Sequence, residues 1–109
     1  MTTIYKVLGQ IATTATSTAT LYTVPAATSA VASTIAVCNR GSASSTFRIA
    51  VQPQAETLAN KHYLNFNTSI PANDTIFLTI GLTLATTDAV SVYASTGTLS
   101  FSMFGSEIS

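Results

Sequence analysis

From Ile76 to Leu82 every second residue is a large aliphatic: Ile76, Leu78, Ile80 and Leu82, with Phe77, Thr79 and Gly81 between them. A repeat of two is the period of a strand, whose side chains leave on alternate faces. A helix would need apolar positions three or four apart. The same beat returns in Phe47, Ile49 and Val51, in His62, Leu64 and Phe66, and in Leu99, Phe101 and Met103. A chain patterned this way is confined to sheets.

The punctuation between these runs marks where strands stop. Pro25 ends Leu21–Val24 and Pro53 ends the run from Phe47, because proline cannot donate to a central ladder. Asn39-Arg40-Gly41-Ser42 and Pro71-Ala72-Asn73-Asp74 carry the residue types of tight turns. Ile4 to Leu8 reads as a first strand. In Ala30–Asn39 the pattern places Val31, Ile35 and Val37 on one face and Ala32, Thr34, Ala36 and Cys38 on the other. Phe47, Phe66 and Phe101 fall on core faces. Ala55–Lys61 is the one stretch with room for a helical turn. Seven or eight strands with turns every 8–14 residues predict an all-β fold, a single antiparallel β-sandwich. Both an immunoglobulin-like order and a jelly roll fit this pattern. The Thr/Ala/Ser-rich residues 1–20 read as a strand or arm, with the sandwich domain in residues 21–109.

Composition limits the function more than the fold. Apolar residues make up 47% of the 109, enough for a core. Burying one Val, Leu, Ile or Phe stabilises by about 1.5–3 kcal/mol, so no disulfide or metal is needed. Charged residues make up only 7%, with zero formal net charge, against roughly 25% in ordinary domains. Lys6, Arg40, Arg48 and Lys61 are scattered, so the clustered basic face of a nucleic-acid binder is missing. No apolar run reaches the roughly 20 residues of a membrane-spanning helix. The start, Met1 to Lys6, lacks the pattern of a secretory signal. Nucleic acid and membrane insertion are therefore not expected.

Chemistry-bearing constellations are sparse. Cys38 is the only cysteine and reads as a small core residue. His62 is the only histidine, at a strand start, where a structural hydrogen bond is the expected role. Asp74 and Asp88 occupy turns, where a carboxylate bonds local N–H groups. Asn67-Thr68-Ser69 and Asn73-Asp74-Thr75 match the glycosylation pattern, as an Asn- and Thr-rich chain does by chance. No catalytic, cofactor or metal-binding residue is expected.

What remains is the surface. Ser, Thr and Ala lose little side-chain freedom when buried, so a skin of short neutral side chains is easily covered by another protein. With no net charge to keep copies apart, the chain is expected to form a homo-oligomer, a trimer, with contacts that depend only weakly on salt. Tyr5, Tyr22, Tyr63 and Tyr93 are the candidate contact residues, each a ring with a polar tip. A carbohydrate-binding module would instead show exposed, coplanar aromatic rings.

The ordered set Leu21-Tyr22-Thr23-Val24-Pro25-Ala26, Val37-Cys38-Asn39-Arg40-Gly41, Phe47-Arg48-Ile49-Ala50-Val51, Lys61-His62-Tyr63, Ile70-Pro71-Ala72-Asn73-Asp74-Thr75, Leu82-Thr83-Leu84, Val92-Tyr93-Ala94-Ser95 and Phe104-Gly105-Ser106-Glu107 resembles small structural proteins of tailed bacteriophages, including cyanophages. The resemblance runs over nearly the whole chain from Lys6. It implies a non-enzymatic virion component, made in the host bacterial cytoplasm. Its expected partners are copies of itself and either the phage major capsid protein, as a decoration or cement protein, or the tail, neck or baseplate proteins. It carries no catalytic residues over.

Overall fold

A computed structural model describes residues 2–109. Eight strands form: β1 Thr3–Ala12, β2 Ser17–Thr23, β3 Ser29–Asn39, β4 Ser45–Gln52, β5 Tyr63–Ile70, β6 Thr75–Leu84, β7 Ala89–Ala94 and β8 Leu99–Ile108. They make two four-stranded sheets, ordered β1-β8-β3-β6 and β2-β7-β4-β5, in which every pairing is antiparallel. Successive strands alternate between the sheets except at β3–β4–β5–β6, where β4 and β5 pair with each other. This is the order of a jelly roll, and it decides between the two sandwich topologies that the strand count leaves open.

The inner faces carry the alternating residues. Ile35, Val37, Phe101 and Met103 from one sheet meet Phe47, Ile49, Val90 and Val92 from the other, all essentially without exposure. Phe47 and Phe101 meet edge to face with centroids 6.3 Å apart, a favoured aromatic geometry. In β6 the inward set is Ile76, Leu78, Ile80 and Leu82, all packed on the core, as the repeat of two requires.

Residues 3–12 are strand within the sandwich. β1 pairs with β8 along its length, Leu8 joins the core, and β2 begins at Ser17. Thr3–Ala12 and Ser17–Thr23 thus each supply an edge strand, one to each sheet.

Bulges explain where the simple alternation misleads. In β3 the register to both neighbours shifts between Ala32 and Thr34. The extra residue, Ser33, reverses the faces: Ala30 and Ala32 point inward before it, Ile35 and Val37 after it, and Val31 points to solvent. Val31 thus does not share a face with Ile35 and Val37. Backbones approach closely here, since a Cβ on Gly105 would overlap the Val31 carbonyl. Gly9, at a second bulge, would collide likewise with the carbonyl of Leu21.

β5 departs in the same way. Its pairing with β4 slips twice and Asn67 has φ of +54°. Phe66 is consequently turned out of the core, with 54% of its surface exposed. Cys38 is half-buried, in register with Ser100 and Thr75, and so lies on the outer side of its sheet. The expected helical turn is replaced by two single 3₁₀ turns, Pro53–Ala55 and Asn60–His62.

Candidate functional site

Polar side chains gather in four places, and each holds part of the chain to another part. At one end, Asn39 is 1% exposed. Its amide reaches the carbonyls of Ala43, Ile70 and Pro71, and its oxygen accepts from Gly41 N and Thr98 Oγ1, both at 2.9 Å. Thr98, Thr96, Ser45 and Ser95 continue the chain of hydroxyls. Three inter-strand connections are tied by this network. It contains hydroxyls and one amide, with no titrating group to serve as a base.

At the opposite end, the Tyr22 hydroxyl donates across the sandwich to Glu107 Oε2, and Lys6 Nζ lies 3.1 Å from Glu107 Oε1. The Tyr22 hydrogen bond, followed by Lys6, holds the Glu107 carboxyl below its ordinary range. Burial, then the bond to Glu107, pushes the Tyr22 phenol well above its own.

On the segment joining β4 to β5, the buried His62 accepts from Ala59 N at its Nδ1, 2.9 Å away, and its Nε2 is 3.2 Å from Glu56 Oε1. Lys61 is 3.7 Å from the same oxygen. The imidazole thus closes a local turn. Asp88 accepts from Gln54 N and Ala85 N, and Asp74 accepts from Thr75 N. Both aspartates shape turns. No group of three or more metal-ligating side chains occurs among the described residues.

The fourth place is the outer face of the β2-β7-β4-β5 sheet. The Arg48 guanidinium lies 4.2 Å from the ring centres of both Phe66 and Tyr93, and its Nε donates to Asn67 Oδ1 at 2.8 Å. Tyr63 stands edge-on to Phe66, 4.9 Å and 83° apart. A cation between two rings contributes about 0.5–1 kcal/mol per contact at an exposed site. It also occupies a face of each ring, so the coplanar platform that a sugar ring stacks on is not formed here.

With Arg40 bonded to Ser100 Oγ and the Gly97 carbonyl, all eight charged side chains are engaged within the chain.

The outer face of the β1-β8-β3-β6 sheet is built differently. The outward residues are those in register with Ser100, Ser102, Phe104, Ser106 and Ile108, and none is Asp, Glu, Lys or Arg. Tyr5 is 85% exposed and Phe77 67%. Beside Tyr5 lies an open groove of about 630 Å³, walled by Tyr5, Lys6, Val7, Val31 and Phe104.

The four candidate tyrosines are therefore dispersed. Tyr63 and Tyr93 share the Arg48 face, Tyr5 projects from the opposite sheet, and Tyr22 is buried between the sheets with 8% exposure. Tyr22 offers no ring to a partner. Sequence reasoning missed Phe77, Val31 and Phe104 as surface residues. Phe77 was legible, as the odd member of the Ile76–Leu82 alternation. Val31 was hidden by the bulge.

An eight-stranded jelly roll with one uncharged outer face is the class that this geometry defines. No protein-family model and no curated protein matches the chain. Among solved structures it is similar to a chain in the structure of infectious bursal disease virus Gx strain, at 11% identity and a TM-score of 0.54. The likeness covers 97% of this chain but 30% of that one, so this chain spans under a third of its neighbour's length. At that identity the likeness is one of fold. Among the described residues no helix is long and apolar enough to cross a membrane.

Proposed function

We propose that this chain is a non-enzymatic structural component of a virus particle, and specifically a decoration protein that binds the capsid of a tailed bacteriophage as an oligomer. The observation that carries this reading is the pairing of a jelly-roll sandwich with a broad uncharged outer face. All charges are spent on internal contacts, which leaves hydroxyls and apolar side chains to meet neighbours. The near-complete overlap of its fold with part of a viral structure supports the reading, as does the ordered sequence resemblance to phage structural proteins. The four polar clusters do structural work, which fits a protein whose role is contact rather than turnover.

A place in the tail, neck or baseplate uses the same properties, and copy number separates the two. Quantitative mass spectrometry of purified particles, referenced to the major capsid protein, is expected to give hundreds of copies of this chain per particle. A count of a few to tens moves the protein to the tail or neck, and absence from particles overturns the virion reading.

A further inference from the structure

The two features that stand out on the uncharged face are complementary in shape. Phe77 projects from β6, at one edge of the sheet. The groove walled by Tyr5, Val7, Val31 and Phe104 lies toward β1, at the other edge. A knob and a groove displaced across one face are what an isologous contact needs, because a two-fold axis between them sends each knob into the other copy's groove. We propose that the outer face of the β1-β8-β3-β6 sheet binds the same face of a second copy of this chain, with Phe77 of each copy seated against Tyr5 and Phe104 of the other.

Area and charge favour this occupant. The four strands have 10 or 11 residues each, which at ~3.3 Å per residue and ~4.8 Å between strands spans roughly 600 Å² in projection. Side chains standing off that plane bring the accessible area near the roughly 800 Å² per partner of a stable interface. Like faces carrying charge would repel. The outward positions of this face carry no charged residue; Lys6, which also lines the groove, is neutralised by Glu107 at 3.1 Å, and Arg40 reaches only the end row, at Ser100. The hydroxyls around the apolar centre, such as Ser33 and Ser106, supply the polar rim of ordinary interfaces. The proposal stands on this face alone and holds whether or not the chain belongs to a virion. It makes the dimer, rather than the trimer expected from composition, the unit to look for.

The test uses the full chain in sedimentation velocity and light scattering at about 50 µM, above the micromolar dissociation constants at the weak end for such interfaces. A dimer is expected, unchanged up to about 0.5 M salt because no charge pair holds it. Phe77→Arg should weaken it by about 100-fold or more, since each dimer contains the change twice. Thr18→Lys, on the other sheet, should leave it intact. Tyr5→Glu added to Phe77→Arg should restore dimer, because the new cation of one copy then meets the new carboxylate of the other. Circular dichroism confirms that each variant is folded. A monomer at this concentration, a trimer, a dimer insensitive to Phe77→Arg, or a double variant no tighter than the single one overturns the proposal.

Discussion

The two outer faces of the sandwich put their aromatic residues to opposite uses. On the β2-β7-β4-β5 side, Phe66 and Tyr93 enclose Arg48, and Tyr63 closes on Phe66. Those rings are satisfied within the chain. On the β1-β8-β3-β6 side, Tyr5 and Phe77 stand in solvent, with no ring or cation contact of this kind among the described residues. The first arrangement stabilises the fold, and the second adds almost nothing to it. The comparison makes the aromatics with unoccupied faces, Tyr5 and Phe77, the candidates for the proposed interface.

The largest expected effect falls where the uncharged face depends on its backbone. Gly105→Val would push a side chain into the Val31 carbonyl and the Ala32 backbone, separating β8 from β3 at the bulge. We expect a loss of about 3 kcal/mol or more, read as a lowered urea midpoint. Gly81→Ala, with open space around its Cβ, should be nearly neutral. Equal effects at the two glycines would mean that the bulge is not tightly packed.

Next is the hydroxyl network. Asn39→Ala leaves buried partners in three connections unsatisfied, each costing about 1–3 kcal/mol, and should destabilise by roughly 2 kcal/mol or more. A change under about 0.5 kcal/mol would show that the Asn39 bonds are replaceable by water.

On the satisfied face, Arg48→Ala or Phe66→Ala should each cost about 1 kcal/mol. Phe77→Ser, measured at concentrations low enough to keep the chain monomeric, should stay within about 0.5 kcal/mol of the parent. If Phe77→Ser costs as much as Phe66→Ala, the distinction between the two faces fails.

The smallest effect is tied to pH. Glu107 titrates below its ordinary range when folded, so its contribution is complete above the unfolded value of about 4.3 and is lost as pH falls through the folded value. Tyr22 is raised, chiefly by burial. Its contribution is complete below about pH 10 and is lost as pH rises toward the folded value. Stability against urea should therefore decline at both ends. Glu107→Gln should flatten the acid limb while the alkaline limb persists.

Much of the fold was legible in the chain itself. The repeat of two in Ile76–Leu82 and in Phe47–Val51 placed strands and their inner faces, because one-sided burial enforces alternation. Pro25, Pro53 and the turn at Asn39–Ser42 marked boundaries. Strand order was not legible, since it depends on pairings between distant segments that leave no local pattern. Val31 and Phe66 were placed on the wrong face for one physical reason. A single inserted residue in β3, Ser33, and the slipped pairing around Asn67 in β5 each reverse the in-and-out parity along their strand. The proposed contact surface was hidden with them. Tyr22 was legible as an amphipathic ring, but it turns inward at the register shift between Thr20 and Tyr22, and its hydroxyl's partner, Glu107, is 85 residues away.

The internal use of every charge also sets a tempo. With zero formal net charge and the charges scattered, little long-range field draws a partner in or orients it during approach. Encounters then proceed at the unsteered rates of about 10⁵–10⁶ M⁻¹ s⁻¹, slowed by the search for a fitting orientation. On the proposed self-association, assembly would be governed by how many copies are made and how crowded they are, and hardly at all by ionic strength.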